Sequence, residues 1–171
     1  RQAIMSNLGK VLEFKGLRPS RRRLRVMASR TFQNFGKYVV DFFRYGRFTR
    51  EKVEKMVSIE HPERLEQAAT EGRGVLAVTA HYGSWEIGGA VLAALDYPVN
   101  AIVLPESNKR TDKLFERRRE TRGIKPIPLG RAVGGALKAL RKGELVAILT
   151  DRDYSRHQHQ FEFFGIPAYL P

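Results

Sequence analysis

His81-Tyr82-Gly83-Ser84-Trp85-Glu86 places an imidazole and a carboxylate five positions apart. These are the residue types of a base and the group that holds it in one tautomer. On a continuous helix, five steps of 100° would point the two side chains about 140° apart. A turn through Gly83, with Ser84 capping a following helix, would bring them together. Glu86 would then hydrogen-bond one imidazole nitrogen, and the other would be free to take a proton. The stretch offers no protein nucleophile for such a base, so the attacking group would be a hydroxyl of the substrate. The same residues also fit a plainer use: His81 as a turn residue, and Glu86 as an acidic side chain favoured at the positive end of a helix. Spacing alone leaves both open.

The elements around this cluster suggest where it sits. Residues 74–80, Gly-Val-Leu-Ala-Val-Thr-Ala, form a short apolar run that reads as a buried strand ending one residue before His81. The pattern from residue 56 onward alternates helices and strands. Helices are expected over 62–70, 85–95, 109–122 and 131–142. Strands are expected over 99–104, 124–129, 145–150 and 160–164. Continuous apolar strands between helices imply an α/β fold, with a mainly parallel or mixed sheet flanked by helices. In such sheets ligands bind beyond the carboxyl ends of the strands, where His81 falls. Asp151 and Asp153 follow the 145–150 strand in the same way. They read either as polar loop caps or as groups that bind an acceptor or orient an arginine.

The first third of the chain is different. Residues 3–15 suggest a short helix. Over 20–45, Leu24, Met27, Ala28, Thr31, Phe35, Tyr38, Val39 and Phe42 recur at three- and four-residue steps, with arginines over much of the remaining surface. The stripe can pack on the protein itself or lie against a membrane with the arginines at phosphate level. Residues 1–55 carry 15 Lys and Arg against 4 Asp and Glu, a balance of +11, whereas residues 56–171 balance at only +2. We therefore read 1–55 as a basic amphipathic helical segment and 56–171 as the α/β region. A local basic field attracts lipid headgroups and nucleic-acid phosphates alike. The absence of cysteine excludes disulfides, thiolate metal sites and a cysteine nucleophile. No run of 18 apolar residues exists to span a bilayer. The start at Arg1 and the end at Pro171 suggest further sequence on both sides, with the catalytic part incomplete at its C-terminal end.

Thr79 to Glu86 resembles the signature of the bacterial lipid A biosynthesis acyltransferase family, a branch of the lysophospholipid acyltransferase superfamily in which the histidine and the acid are separated by four residues. Three further segments follow in the family's order. These are Pro105-Glu106-Ser107-Asn108-Lys109 with Arg119 and Gly123; Gly143-Glu144-Leu145-Val146 with Thr150-Asp151-Arg152-Asp153-Tyr154; and Phe163-Phe164-Gly165-Ile166-Pro167-Ala168. Four segments in order form a far more specific signal than one motif. The resemblance implies a glycerolipid acyltransferase-like fold. It implies transfer of a fatty acyl chain from acyl carrier protein or coenzyme A to a hydroxyl of a glycolipid, at the cytoplasmic face of the bacterial inner membrane. No metal or other cofactor is implied. His81 and Glu86 would be catalytic, and Arg119, Asp151, Asp153 and Asn108 would bind substrate, Arg119 through a phosphate.

Other readings remain. A glycerophospholipid acyltransferase would share the base, although glutamate at 86 and the tryptophan beside it favour the glycolipid branch. A nucleic-acid or membrane-surface binding domain would account for the basic charge but not for His81 and Glu86 beyond a buried strand, and no nucleic-acid module is recognisable. A serine hydrolase would need a Gly-x-Ser-x-Gly elbow, which is absent. His157-Gln158-His159 matches no standard metal-site spacing. Tyr82 and Trp85 would line an acyl path or simply pack.

Overall fold

A computed structural model describes residues 1–44, 49–152 and 159–170. The chain groups into two compact units: residues 1–44 with 152–171, and residues 45–151.

The second unit carries the sheet. It begins with helices α3 (Arg50–Met56) and α4 (Pro62–Thr70). There follow β1 (Val75–Thr79), α5 (Trp85–Ala94), β2 (Val99–Val103), α6 (Lys109–Thr121) and β3 (Ile124–Pro128). A single 3-10 turn (Leu129–Arg131), α7 (Ala132–Leu140) and β4 (Leu145–Leu149) complete it. The expected strands and helices are present within a residue or two, except that the 131–142 helix starts with the 3-10 turn; β1, expected to be buried, is instead an edge strand that leaves Leu76 and Val78 exposed. Helix α3, over residues 50–56, was not anticipated. It has too few turns to show a period, and Thr49 caps it by accepting the Lys52 N–H.

All four strands pair in parallel, in the order β1-β4-β2-β3. The last strand of the unit is therefore inserted between the first and the second, and the ends of β1 and β4 become neighbours. Alternate side chains leave the two faces. On one face Val53 of α3, Ala90 and Val91 of α5, Val99, Ile124 and Leu145 form the core. On the other face α7 packs so closely that a Cβ at Gly135 would stand 2.7 Å from Ile127. At the amino ends of the strands, the buried Asn100 amide donates to Glu144 at 2.7 Å and to the Leu145 carbonyl, and Lys125 reaches the other Glu144 oxygen at 3.0 Å. Burial of a strand asparagine beside a half-buried carboxylate is tolerated because each is satisfied by the other.

The first unit holds α1 (Gln2–Phe14), α2 (Arg21–Arg44) and a hairpin of β5 (His159–Phe163) and β6 (Ile166–Leu170). Strand β6 lies beyond the last strand expected from the sequence. Phe164 and Gly165 form the two-residue turn, both at positive φ (53° and 65°), as the twist of a tight hairpin requires. A phenylalanine is seldom found there. Here its ring lies edge-on to Phe14 at 5.8 Å, and a Cβ on Gly165 would stand 2.8 Å from the same Phe14 ring. The α2 stripe is only partly used: Ala28 and Phe42 are buried and Leu24, Met27, Tyr38 and Val39 half-covered, while Thr31 and Phe35 stay exposed. Among the described residues no helix is long and apolar enough to cross a membrane.

Candidate active site

β1 ends at Thr79, and the chain turns sharply beyond it: the Tyr82 N–H donates to the Ala80 carbonyl at 2.7 Å and Gly83 takes φ 62°. Ser84 stands at the N-cap of α5, as the spacing predicts, although its hydroxyl makes no capping bond. That hydroxyl oxygen is buried without a hydrogen-bond partner. The turn does bring Glu86 into the first turn of α5, but not onto the imidazole.

His81 is held instead by Asp151. The parallel pairing of β1 and β4 continues past both strands, with the Thr150 N–H donating to the Thr79 carbonyl at 3.0 Å. Asp151 then faces His81 across 70 residues of sequence, its Oδ1 2.7 Å from Nδ1 and its Oδ2 accepting the His81 backbone N–H at 3.0 Å. A carboxylate can only accept, so Nδ1 carries the proton, which in the neutral ring leaves the lone pair on Nε2. Burial pushes the Asp151 carboxyl up, but the hydrogen bonds from the His81 ring and backbone outweigh it and hold it below the usual carboxylate range. Asp151 is thus an anion at neutral pH. The His81 side chain is 22 % exposed and that of Asp151 36 %, so a reactant can approach. The Trp85 ring stands edge-on to the imidazole at 4.8 Å and restricts its rotation. Tyr82, by contrast, is exposed.

Glu86 has a different partner. It is buried and accepts from Arg119 of α6, whose Nε lies 3.0 Å from Oε1 and 3.2 Å from Oε2, while Nη2 also bonds Oε1. The side chains are 7 % and 15 % exposed, which makes this a largely desolvated pair. Nη1 of Arg119 has no hydrogen-bond partner among the described residues, and the guanidinium sits 5.6 Å from the Phe115 ring centre. The expected hydrogen bond from the His81 ring to Glu86 is therefore replaced by two pairs, His81 with Asp151 and Glu86 with Arg119. The physical reason is strand order: β4 lies beside β1, so the closest acid to His81 comes from the end of β4.

Of the other sequence candidates, Asn108 caps α6, its side-chain oxygen accepting the N–H groups of Arg110 at 2.9 Å and Thr111 at 3.2 Å. Asp153 and His157 lie outside the described residues, and His159 is exposed on β5. Among the described residues no cluster of three His, Cys, Asp or Glu side chains could hold a metal. The contact that sequence reasoning missed is the one between Asp151 and His81. Its only sequence signal was that both residues directly follow apolar strands.

The fold and site together define an α/β protein with a carboxylate-paired histidine at the carboxyl ends of adjacent parallel strands. The profile of the bacterial lipid A biosynthesis acyltransferases matches residues 7–171. The chain belongs to this family. It is 30% identical over 141 residues to the lipid A biosynthesis palmitoleoyltransferase of Escherichia coli, covering 82% of this chain and 45% of that protein. It is 28% identical over 116 residues to a lipid A biosynthesis acyltransferase of Haemophilus influenzae, covering 67% of this chain and 36% of that protein. It is also 23% identical over 153 residues to the phosphatidylinositol mannoside acyltransferase of Mycobacterium tuberculosis, covering 82% and 46%. The chain thus spans about half the length of the curated relatives it matches.

Proposed function

We propose that this chain carries the catalytic base of a membrane-associated O-acyltransferase, which moves a fatty acyl group from a thioester of acyl carrier protein or coenzyme A to a hydroxyl of a glycolipid. The observation that carries this reading is the His81–Asp151 pair at the sheet's open end. Nε2 of His81 removes the proton of the acceptor hydroxyl, and Asp151 offsets the charge that develops on the ring. The alkoxide oxygen attacks the thioester carbonyl carbon. The tetrahedral oxyanion is met by backbone N–H groups of the first turn of α5. The C–S bond then breaks, the thiolate takes the proton from His81, and the ester leaves. The steps call for no redox change, metal or other cofactor.

Glu86 holds the Arg119 fork in place, and Nη1 of Arg119 is available to a phosphate of donor or acceptor. The names of the relatives, lipid A and phosphatidylinositol mannoside acyltransferases, support a glycolipid acceptor. Exposed Phe32, Phe35 and Val40 on the arginine-rich α2 support attachment to an anionic membrane surface, which we assign to the cytoplasmic face of the bacterial inner membrane.

The test is to incubate membranes containing the complete protein with labelled acyl-CoA or acyl carrier protein and a glycolipid acceptor, then to identify the lipids by mass spectrometry. A new glycolipid ester is expected, with His81→Ala lowering its rate by about 10²- to 10⁴-fold. Unchanged turnover in His81→Ala, or no ester from either donor, would overturn the proposal.

A further inference from the structure

The outward side of α6 has a chemistry that the site does not use. Successive residues are 100° apart, so Arg110, Lys113, Leu114 and Arg117 fall within an arc of about 100°. Arg119, which binds Glu86, lies about 180° from Arg110, on the opposite side of the helix. All four outward residues are exposed, Leu114 by 43%. Exposed Glu116 and Glu120 lie on the same helix. Even so, the side chains of Arg110, Lys113 and Arg117 form no ion pair or hydrogen bond with any described residue. Three unneutralised cations therefore run about 10 Å along one ridge, around a half-exposed leucine.

We propose that this ridge docks an acidic protein that bears the acyl thioester. The inference rests on the acyl-transfer reading above and selects between its two donors. A nucleotide-type thioester offers a few clustered phosphates, which are held by donors that converge on one point. On α6 the cations instead diverge from a convex helix at roughly one-turn intervals. That spacing matches carboxylates repeated along another helix or strand, with Leu114 meeting an apolar side chain between them. A basic ridge also steers an acidic carrier toward the enzyme before contact. The opposite side of the same helix supplies Arg119, so docking on α6 puts the carrier beside the element that lines the site.

The test is binding without turnover. A fluorescently labelled bacterial acyl carrier protein is titrated with the complete protein, and anisotropy is read at low and high salt. We expect saturable binding that weakens as salt rises. We expect at least about a tenfold loss of affinity in the triple variant R110E/K113E/R117E, and a smaller loss in R110Q/K113Q/R117Q. Both variants change exposed side chains, and unchanged thermal melts would establish that they fold. Equal affinity of the wild type and the charge-reversed protein, or no saturable binding by the wild type, overturns the docking surface. Intact, variant-sensitive binding with no acyl transfer would instead sink the enzymatic reading and leave the ridge standing.

Discussion

Asp151→Asn separates the two arrangements open to His81. In the structure one carboxylate accepts both the Nδ1–H, at 2.7 Å, and the backbone N–H of His81, at 3.0 Å. Asparagine keeps the shape but has only one acceptor oxygen. If that oxygen keeps the backbone N–H, the amide NH₂ faces Nδ1 and favours the tautomer whose proton sits on Nε2. A ring in that tautomer cannot act as base. Loss of a hydrogen bond to a charged group costs about 1.5–3 kcal/mol, which alone slows the reaction about 10- to 150-fold. Adding the tautomer penalty gives an expected fall in kcat of about 10²- to 10⁴-fold. Asp151 is partly exposed, so stability should drop by no more than about 1 kcal/mol. The assay is steady-state release of the donor thiol, followed with a thiol-reactive dye, to which this cysteine-free chain contributes no background. Because the Asp151 carboxyl is depressed in the folded state, its stabilisation is present above the unfolded value, near about 3.9, and is lost as pH falls through the lower folded value. The variant should therefore be slow at all neutral and mildly acidic pH values. A kcat within about threefold of wild type would refute the alignment of His81 by Asp151.

Glu86→Gln should act first on stability. Leaving the Arg119 guanidinium largely buried and unpaired is expected to cost about 3–5 kcal/mol in urea unfolding, and a loss under about 1 kcal/mol would mean that the pair is solvated. Gly74→Ala should destabilise by about 2–4 kcal/mol, since φ is +76° and the new Cβ would lie 2.6 Å from the Leu140 carbonyl oxygen. Gly72→Ala, at φ +70° with nothing within 4 Å, should cost only about 1–2 kcal/mol. Equal effects would rule out the Leu140 contact as the cause. The hydrogen bond from Asn100, and then that from Lys125, hold the Glu144 carboxyl below its usual range. Its stabilisation is thus complete above the unfolded value, about 4.3, and disappears as pH falls through the folded one. The stability gap between wild type and Glu144→Gln, measured by denaturant titration, should shrink on acidification below about pH 4. A gap that widened there would reverse the assigned shift.

Much of the architecture was legible because it is local. The apolar run before His81 predicts β1, Gly83 predicts the turn and Ser84 the start of α5. The structure contains all three because φ preference acts over a few residues, although β1 is an edge strand with Leu76 and Val78 exposed and Ser84 makes no capping bond. Short elements without a period, such as α3, carried no such signal, and β6 was hidden by Pro167 and Gly165 beside it. The fold class, and His81 with the acidic and basic side chains as candidates, were available from the chain alone. What only the tertiary structure decided was which acid touches which base. Parallel neighbours in a sheet need not be neighbours in sequence, and the insertion of β4 beside β1 places Asp151 on His81 and leaves Glu86 to Arg119. Periodicity and spacing report a residue's own turn or strand, whereas the order of strands is chosen by packing across the whole sheet.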